Sequence, residues 1–255
     1  MAVRSASAEE GAVRRLTLDA GKGNIIDSKL VVELAEAHGA AVADPNAAAV
    51  VIDAAGPHFS FGASLEEHRP SAVAGMLKRL HALIRSLLES PIPTLFAVKG
   101  QCLGGGLELV LAGNRIFAHP SAKLGQPEIK LAVFAPAGSV LLPLRIGQAK
   151  AEELLWSGRS VEATEALAIG LVDEVCGAED DPAERALAWA RTSLLNLSRS
   201  SLRHAVRVAR QAFARDAWER IEASERAYLN ELMATPDAKE GIEAFIEKRA
   251  PRWQK

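Results

Sequence analysis

Cysteine is scarce in this chain of 255 residues: there are two, Cys102 and Cys176, far apart in the sequence. They offer neither a disulfide framework nor the clustered spacing of a metal site. Cys102 stands beside a glycine-rich stretch, yet no histidine partner is evident for a thiolate nucleophile, and burial in the core is the simpler reading. An excess of one charge is missing as well. Lys and Arg number 30 against 32 Asp and Glu, a net charge of −2. That balance argues against a nucleic-acid-binding or membrane-surface protein, although a few local cations could still hold an anionic ligand. No apolar run reaches the roughly 18 residues of a membrane span. The longest, Leu131 to Leu144, is broken by Pro136, Gly138, Ser139 and Pro143. The first 16 residues carry charges and no apolar h-region, so no secretory signal is expected. A cytoplasmic protein without membrane association follows as the expectation. Internal repeats, low-complexity tracts and long linkers are lacking too.

What is present is ordinary for a globular protein: 49% hydrophobic and 24% charged residues in a chain long enough for one α/β domain, perhaps with an appendage. Residues 13–19 alternate as a strand, and Gly21-Lys22-Gly23-Asn24 is a turn. Asp27 or Ser28 N-caps a helix with Leu30, Val31, Leu34 and Ala35 on one face. Residues 48–52 form an uninterrupted apolar run, as in a strand buried on both faces. The loop Gly56 to Ser64 follows it, then an amphipathic helix over about 72–89, in which His81 reads as a surface or packing residue. A strand at 93–98 leads into the glycine-rich stretch. Beyond lie a short strand at 115–118, a turn at 123–128 and an apolar loop at 131–137. Helical segments at 138–156 and 162–169, a strand at 171–175 and a helix from Asp181-Pro182 come next. One long helix spans about 198–232, striped with Leu202, Ala205, Ala209, Phe213, Ala217 and Ile221, and a shorter one spans 238–248.

The stretch Lys99-Gly-Gln-Cys-Leu-Gly-Gly-Gly-Leu-Glu108 carries the chemistry. A strand, a bare turn and a helix start expose unpaired backbone N–H groups that suit an oxygen bearing negative charge. Glu108 stands just past the glycines, where a carboxylate beside an oxyanion site suggests acid–base work on a polarised carbonyl. Taken alone, these ten residues read more simply as a close-packing turn. They are not a phosphate loop, lacking Gly-Lys-Ser/Thr, nor a dinucleotide fingerprint, lacking spaced glycines. Two strand–loop–helix units thus each present a small-residue loop, around Ala63 and around Gly105. If their strands are neighbours, one N–H from each brackets a single oxygen.

Three motifs in order give the chain a resemblance, over almost its whole length, to the crotonase (enoyl-CoA hydratase/isomerase) superfamily. They are Phe59-Ser60-Phe61-Gly62-Ala63-Ser64, then Lys99-Gly100 through Gly104-Gly105-Gly106-Leu107-Glu108, then Leu124-Gly125-Gln126-Pro127-Glu128. The ending Glu240-Gly241-Ile242-Glu243-Ala244-Phe245-Ile246-Glu247-Lys248-Arg249 matches the family as well. The resemblance implies a spiral of ββα units, residues 1–198 holding the active site, with a helical C-terminal region, 199–255, that trimerises. It implies a homotrimer or dimer of trimers, an acyl-CoA substrate, and no cofactor or metal, coenzyme A being part of the substrate. The N–H groups of Ala63 and Gly105 would form the oxyanion hole, and Glu108 and Glu128 would be the catalytic pair. Substrate contacts would fall at Phe61, Ser64, Gly104, Val133 and Phe134.

The departures matter. Phe61 and Ser64 replace the usual Ala and Asp, and Glu66 stands where a lysine often meets the CoA phosphates. Lys248, with Phe245 against the adenine, is the candidate substitute from a neighbouring subunit; a solvent-facing lysine is the equal alternative. Within the family, residues 23–27, 59–68 and 133–139 look like the hydratases of cyclic dienoyl-CoA from anaerobic benzoyl-CoA degradation. Phe61 and Val133-Phe134-Ala135-Pro136 would supply flat walls for a ring. Linear enoyl-CoA hydration and a catalytically silent assembly protein are the alternatives; the second would be marked by loss of a glutamate or of the glycine loop.

Overall fold

Apolar runs build the centre of the protein. The structure is a computed structural model that describes residues 1–254. In chain order its elements are β1 (Val3–Ala8), β2 (Val13–Leu18), α1 (Ser28–Ala43), β3 (Ala49–Ala54), α2 (Val73–Leu88), β4 (Thr94–Val98), β5 (Gln101–Leu103), α3 (Gly105–Leu111), β6 (Arg115–Ala118) and β7 (Lys123–Gly125). A 3-10 turn, Pro127–Leu131, precedes α4 (Gly138–Ile146), α5 (Gln148–Ser157), β8 (Ser160–Glu162), α6 (Ala163–Ala168), β9 (Glu174–Val175), α7 (Pro182–Ser193), α8 (Arg199–Asn230) and α9 (Pro236–Ile246).

The main sheet runs β1-β2-β3-β4-β6-β9, parallel except where β1 pairs antiparallel with β2 at one edge. Every residue of β3 and β4 is buried. Helix α7 covers one face through Ala183, Ala186 and Ala190, against Val51, Leu95 and Phe117. The other face carries the larger core with α1, α2 and α3. A second, small sheet, β5-β7-β8, sets β5 parallel to β7. This is the arrangement that brings residue 104 to residue 125: the Gly104 N–H donates to the Gly125 carbonyl at 2.9 Å.

Asp27 is the cap of α1, its side chain accepting from the Leu30 N–H at 2.8 Å. The helical stretch expected over 138–156 is two helices. Gly147, at φ 82° and ψ 154°, breaks it in a conformation that only glycine adopts readily. The stripe expected along α8 is displaced. Leu202, Ala217 and Ile221 are buried, but Ala205 and Ala209 are exposed, and the covered face continues instead through Ala214 and Tyr228. Steps of four residues drift about 40° each around a helix, and the real face turns through two polar residues, Arg210 and Tyr228. Arg210 reaches the Ala112 carbonyl at the end of α3 (2.9 Å). α8 therefore packs on α2 and α4 of its own chain. Among the described residues no helix is long and apolar enough to cross a membrane.

Candidate active site

Parallel strands β3 and β4 are neighbours, so the loops leaving their C-terminal ends meet, at the sheet edge where open α/β folds bind ligands. The first loop is strapped on both sides. Its Ser60 N–H donates to Gln101 and its Ser60 carbonyl accepts from Leu103; on the other side Ile26 donates to the Gly62 carbonyl and Ser64 to that of Ile26, all at 2.9–3.0 Å. Ser60 Oγ accepts the Gly62 N–H at 3.0 Å and donates to the Asn24 carbonyl at 2.8 Å. Buried Asn24 in turn donates to the carbonyls of Ala55 and His58. Residues 23–27 are the splint of this loop.

Each of the three glycines answers to a neighbour. Gly104 has φ 51° and ψ −127°, and a Cβ there would land on the Glu128 carboxylate. A Cβ on Gly105 would come within 3.2 Å of the Ala63 Cβ and 3.3 Å of the Ala63 nitrogen. One on Gly106 would press into Ser60 at 2.8 Å. Ala63 and Gly105 thus lie side by side, and among the described residues neither N–H has a protein acceptor. Helix α3 has only seven residues, so its dipole is modest and these two local N–H groups carry the positive potential.

Glu108, 3% exposed, accepts the Gly138 N–H on Oε1 at 2.7 Å. Burial raises its pKa; the charge of His81 and the N–H groups of Gly138 and Ala137 pull the other way. Glu128 faces the same cavity. Burial first, and then the charge of Glu108, push it up to about 8. With its amide nitrogen turned to Glu128, buried Gln126 donates to both carboxylate oxygens, at 3.1 and 3.2 Å. Two carboxyls that resist simultaneous ionisation share protons near neutrality.

These groups open onto a cavity of about 630 Å3. Of the residues marked out from the sequence, Phe61, Ala63, Ser64, Gly104, Gly105, Glu108, Glu128, Val133, Phe134 and Phe245 all line it. Lys248 does not line the cavity of its own chain; it is exposed, at the end of α9. Phe61, 45% exposed, stands edge-on to His58, ring centres 4.9 Å apart. Phe245 reaches the rim because Gly241, lacking a Cβ, lets α9 lie against the Leu131 carbonyl, and because Arg69 pairs with Glu243 at 3.4 Å. Cys102 is fully buried and its thiol pKa is raised by that burial, so it is a packing residue.

Sequence reasoning missed three residues. Lys130 is a cation on the cavity wall beside Glu128; its place directly after the third motif was the available signal. His81 is not at the surface: it is fully buried, and its Nδ1 bonds to Glu225 of α8. Tyr228, the only tyrosine, is buried with its ring edge-on to Phe134 at 5.3 Å. Nothing in the local sequence of α8 connects these positions to a site more than a hundred residues earlier.

Comparison with known proteins identifies the family and the fold. The model of a family described as enoyl-CoA hydratase/isomerase matches residues 8–255. A cyclohexa-1,5-dienecarbonyl-CoA hydratase of Thauera aromatica is 51% identical over 245 residues, 96% of this chain and 94% of that protein. A probable enoyl-CoA hydratase of Mycobacterium tuberculosis is 36% identical over 90% of this chain and 89% of its own length. Among solved structures, an enoyl-CoA hydratase/isomerase from Pseudoalteromonas atlantica superposes over 100% of both chains with a TM-score of 0.86 at 27% identity. The fold is therefore the crotonase fold, and the chain belongs to the enoyl-CoA hydratase/isomerase family.

Proposed function

We propose that the protein is an acyl-CoA hydro-lyase that adds water to a cyclic dienoyl-CoA, cyclohexa-1,5-diene-1-carbonyl-CoA, in the anaerobic degradation of benzoyl-CoA. The observation that carries this reading is one apolar cavity holding buried Glu108 and half-buried Glu128, two carboxyls of raised pKa, beside the paired N–H groups of Ala63 and Gly105. The 51% identity to the Thauera aromatica hydratase supports the ring substrate.

In this mechanism the thioester oxygen accepts from Ala63 and Gly105. Glu108, whose charged form is favoured by two N–H groups and His81, takes a proton from water. The water oxygen bonds to the carbon β to the thioester, and the electron pair moves through the diene to the thioester oxygen, held by the two N–H groups. Glu128, the carboxyl that keeps its proton to about pH 8, protonates the far end of the dienolate. This 1,4 addition leaves one ring double bond conjugated with the thioester. No metal or cofactor takes part. Phe61, Val133 and Phe134 clasp the ring, and Lys130 at the wall replaces some of the phosphate-binding charge lost at Glu66. Assembly as a trimer or dimer of trimers would use the apolar side of α8 that its own chain leaves open, Ala205, Val208 and Ala209, and would bring Lys248 to a neighbour's cavity.

Measuring kcat/KM for cyclohexa-1,5-diene-1-carbonyl-CoA against crotonyl-CoA tests the proposal, with the position of deuterium determined after turnover in D2O. Preference for the ring substrate with label at the far carbon is expected. Preference for crotonyl-CoA would make the enzyme a linear enoyl-CoA hydratase, and label at the α carbon alone would refute the 1,4 course.

A further inference from the structure

A second cavity, of about 250 Å3, adjoins the first. Glu128, Phe134 and Ala135 line both and form the partition between them. Gln126, whose amide donates to both Glu128 oxygens, lines only the smaller one. Much of the remaining wall comes from α4 and α5, with Ser139 on the first and Gln148, Glu152 and Trp156 on the second. Helix α5 packs on both α4 and the 3-10 turn that carries Glu128. Gly158 at its end, with φ 61°, lets it close on that turn, since a Cβ there would come within 2.8 Å of Ile129. The mouth is at α5: Gln148 and Trp156 are exposed and Glu152 is half-buried. The Gln148 amide donates to the Glu152 carboxylate at 2.7 Å. Polar side chains thus run from Glu152 at the mouth, through Ser139, to Gln126 beside the catalytic carboxyl. They suit water, which takes roughly 30 Å3 per molecule in the liquid and needs a few polar partners each. An acyl chain suits the space poorly, because it would cover the Glu152 carboxylate without pairing it.

We propose that this second cavity is a water-filled inlet through which Glu128 exchanges its proton with solvent while a thioester occupies the main cavity. Hydration leaves Glu108 with a proton gained and Glu128 with a proton lost, and both must be reset before the next turnover. A thioester in the largely apolar main cavity closes that side of Glu128 to bulk water. The smaller cavity reaches the same residue from α5 without crossing the acyl site. The Glu128 carboxylate takes a hydrogen from a water in the inlet, and the hydroxide so formed takes a proton from bulk through its neighbours. The proton held by Glu108 leaves by the main cavity with the product. Each turnover thus consumes one water and no net proton. Ser139 can accept and donate along this path, whereas the Gln126 amide, which only donates to the carboxylate, orients it and relays nothing.

The inference rests on Glu128 being the acid of the proposed hydration, and the test separates the two. Ser139 lines the inlet and not the main cavity, so Ser139→Leu plugs one and leaves the other open. The hydrated thioester, made by the wild type in D2O and so labelled at the carbon that Glu128 protonates, is returned to the enzyme in H2O. In the reverse reaction Glu128 removes that deuterium. If the inlet exchanges it while the diene is still bound, rehydration yields unlabelled alcohol, which should appear faster than free diene. In Ser139→Leu the deuterium should return to the same carbon, and unlabelled alcohol should fall severalfold relative to diene. A variant that is merely impaired slows both and leaves their ratio unchanged, which overturns the proposal, as does a wild type that forms no unlabelled alcohol before the diene is released. Normal turnover in Glu128→Gln would instead end the acid role itself. A crystal structure of the wild type with cyclohexanecarbonyl-CoA, a saturated thioester that cannot be hydrated, covers a plugged variant that fails to fold. A file of ordered waters from Glu152 to Glu128 is expected. A dry second cavity, or one filled by the acyl group, overturns the inlet.

Discussion

Replacing Gly104 by alanine separates two roles of one residue. Its backbone angles, φ 51° and ψ −127°, strain any side-chain-bearing residue by about 1–3 kcal/mol. For a chain of this size that is a fall in Tm of roughly 2–12 °C. The added methyl group would also fall on Glu128 Oε1, so the carboxylate must retreat by on the order of 1 Å, a misplacement that costs about 100-fold in rate. Gly147 supplies the control. It has φ 82° and ψ 154°, and nothing lies within 4 Å of its notional Cβ. Gly147→Ala should therefore lose similar stability and keep its turnover, whereas Gly104→Ala should lose about 100-fold in kcat. Thermal melting and steady-state hydration assays on both proteins are sufficient. Wild-type kcat in a folded Gly104→Ala protein would refute the placement of Glu128 against the glycine turn, and an equal loss in both would show strain, not the carboxylate, to be the cause.

Glu108→Gln and Glu128→Gln should each lose most of kcat while still binding the thioester, because both remove interactions made in the transition state; normal turnover in either would end the two-carboxyl mechanism. Glu128 also gives a stability signature. Its pKa is raised in the folded state from 4.5 to about 8, so its contribution is fully present below about pH 4.5 and is lost as pH rises through about 8. The loss is at most about 5 kcal/mol, shared with Glu108. Glu128→Gln should thus gain on the wild type in Tm between pH 5 and 8; parallel curves would show an ordinary carboxyl. Val208 is 66% exposed on α8, and Val208→Asp should weaken assembly without unfolding the chain, read by light scattering. A wild-type protein that is a stable, active monomer would refute a role for that surface.

The residues that line the cavity were legible because their signals are local. Gly104, Gly105 and Glu108 sit in one short run, and the Gln126-Pro127-Glu128 turn is close behind. The apolar run of β3 and the cap at Asp27 are local signals too. What escaped depended on partners distant in sequence. The small sheet β5-β7-β8 consists of three-residue strands, too short for alternation to register. The buried face of α8 runs through Arg210 and Tyr228, polar residues that a search for apolar stripes passes over. His81 resembles any other polar residue on α2 until Glu225 arrives from 144 positions away.

The path of α9 has a consequence for how the protein comes into being. Gly241 seated on the Leu131 carbonyl, and Glu243 paired with Arg69, place Phe245 at the cavity mouth only when the last residues of the chain have docked. During synthesis the loop that holds Ala63, both glutamates and the strands beneath them emerge well before the rim residue Phe245. The wall at Phe245 is thus the last part of the cavity to be made, and α9 acts as its closing stitch. Loss of the chain beyond residue 235 would take Phe245 from the cavity wall and Ala238 and Ile242 from the main core together.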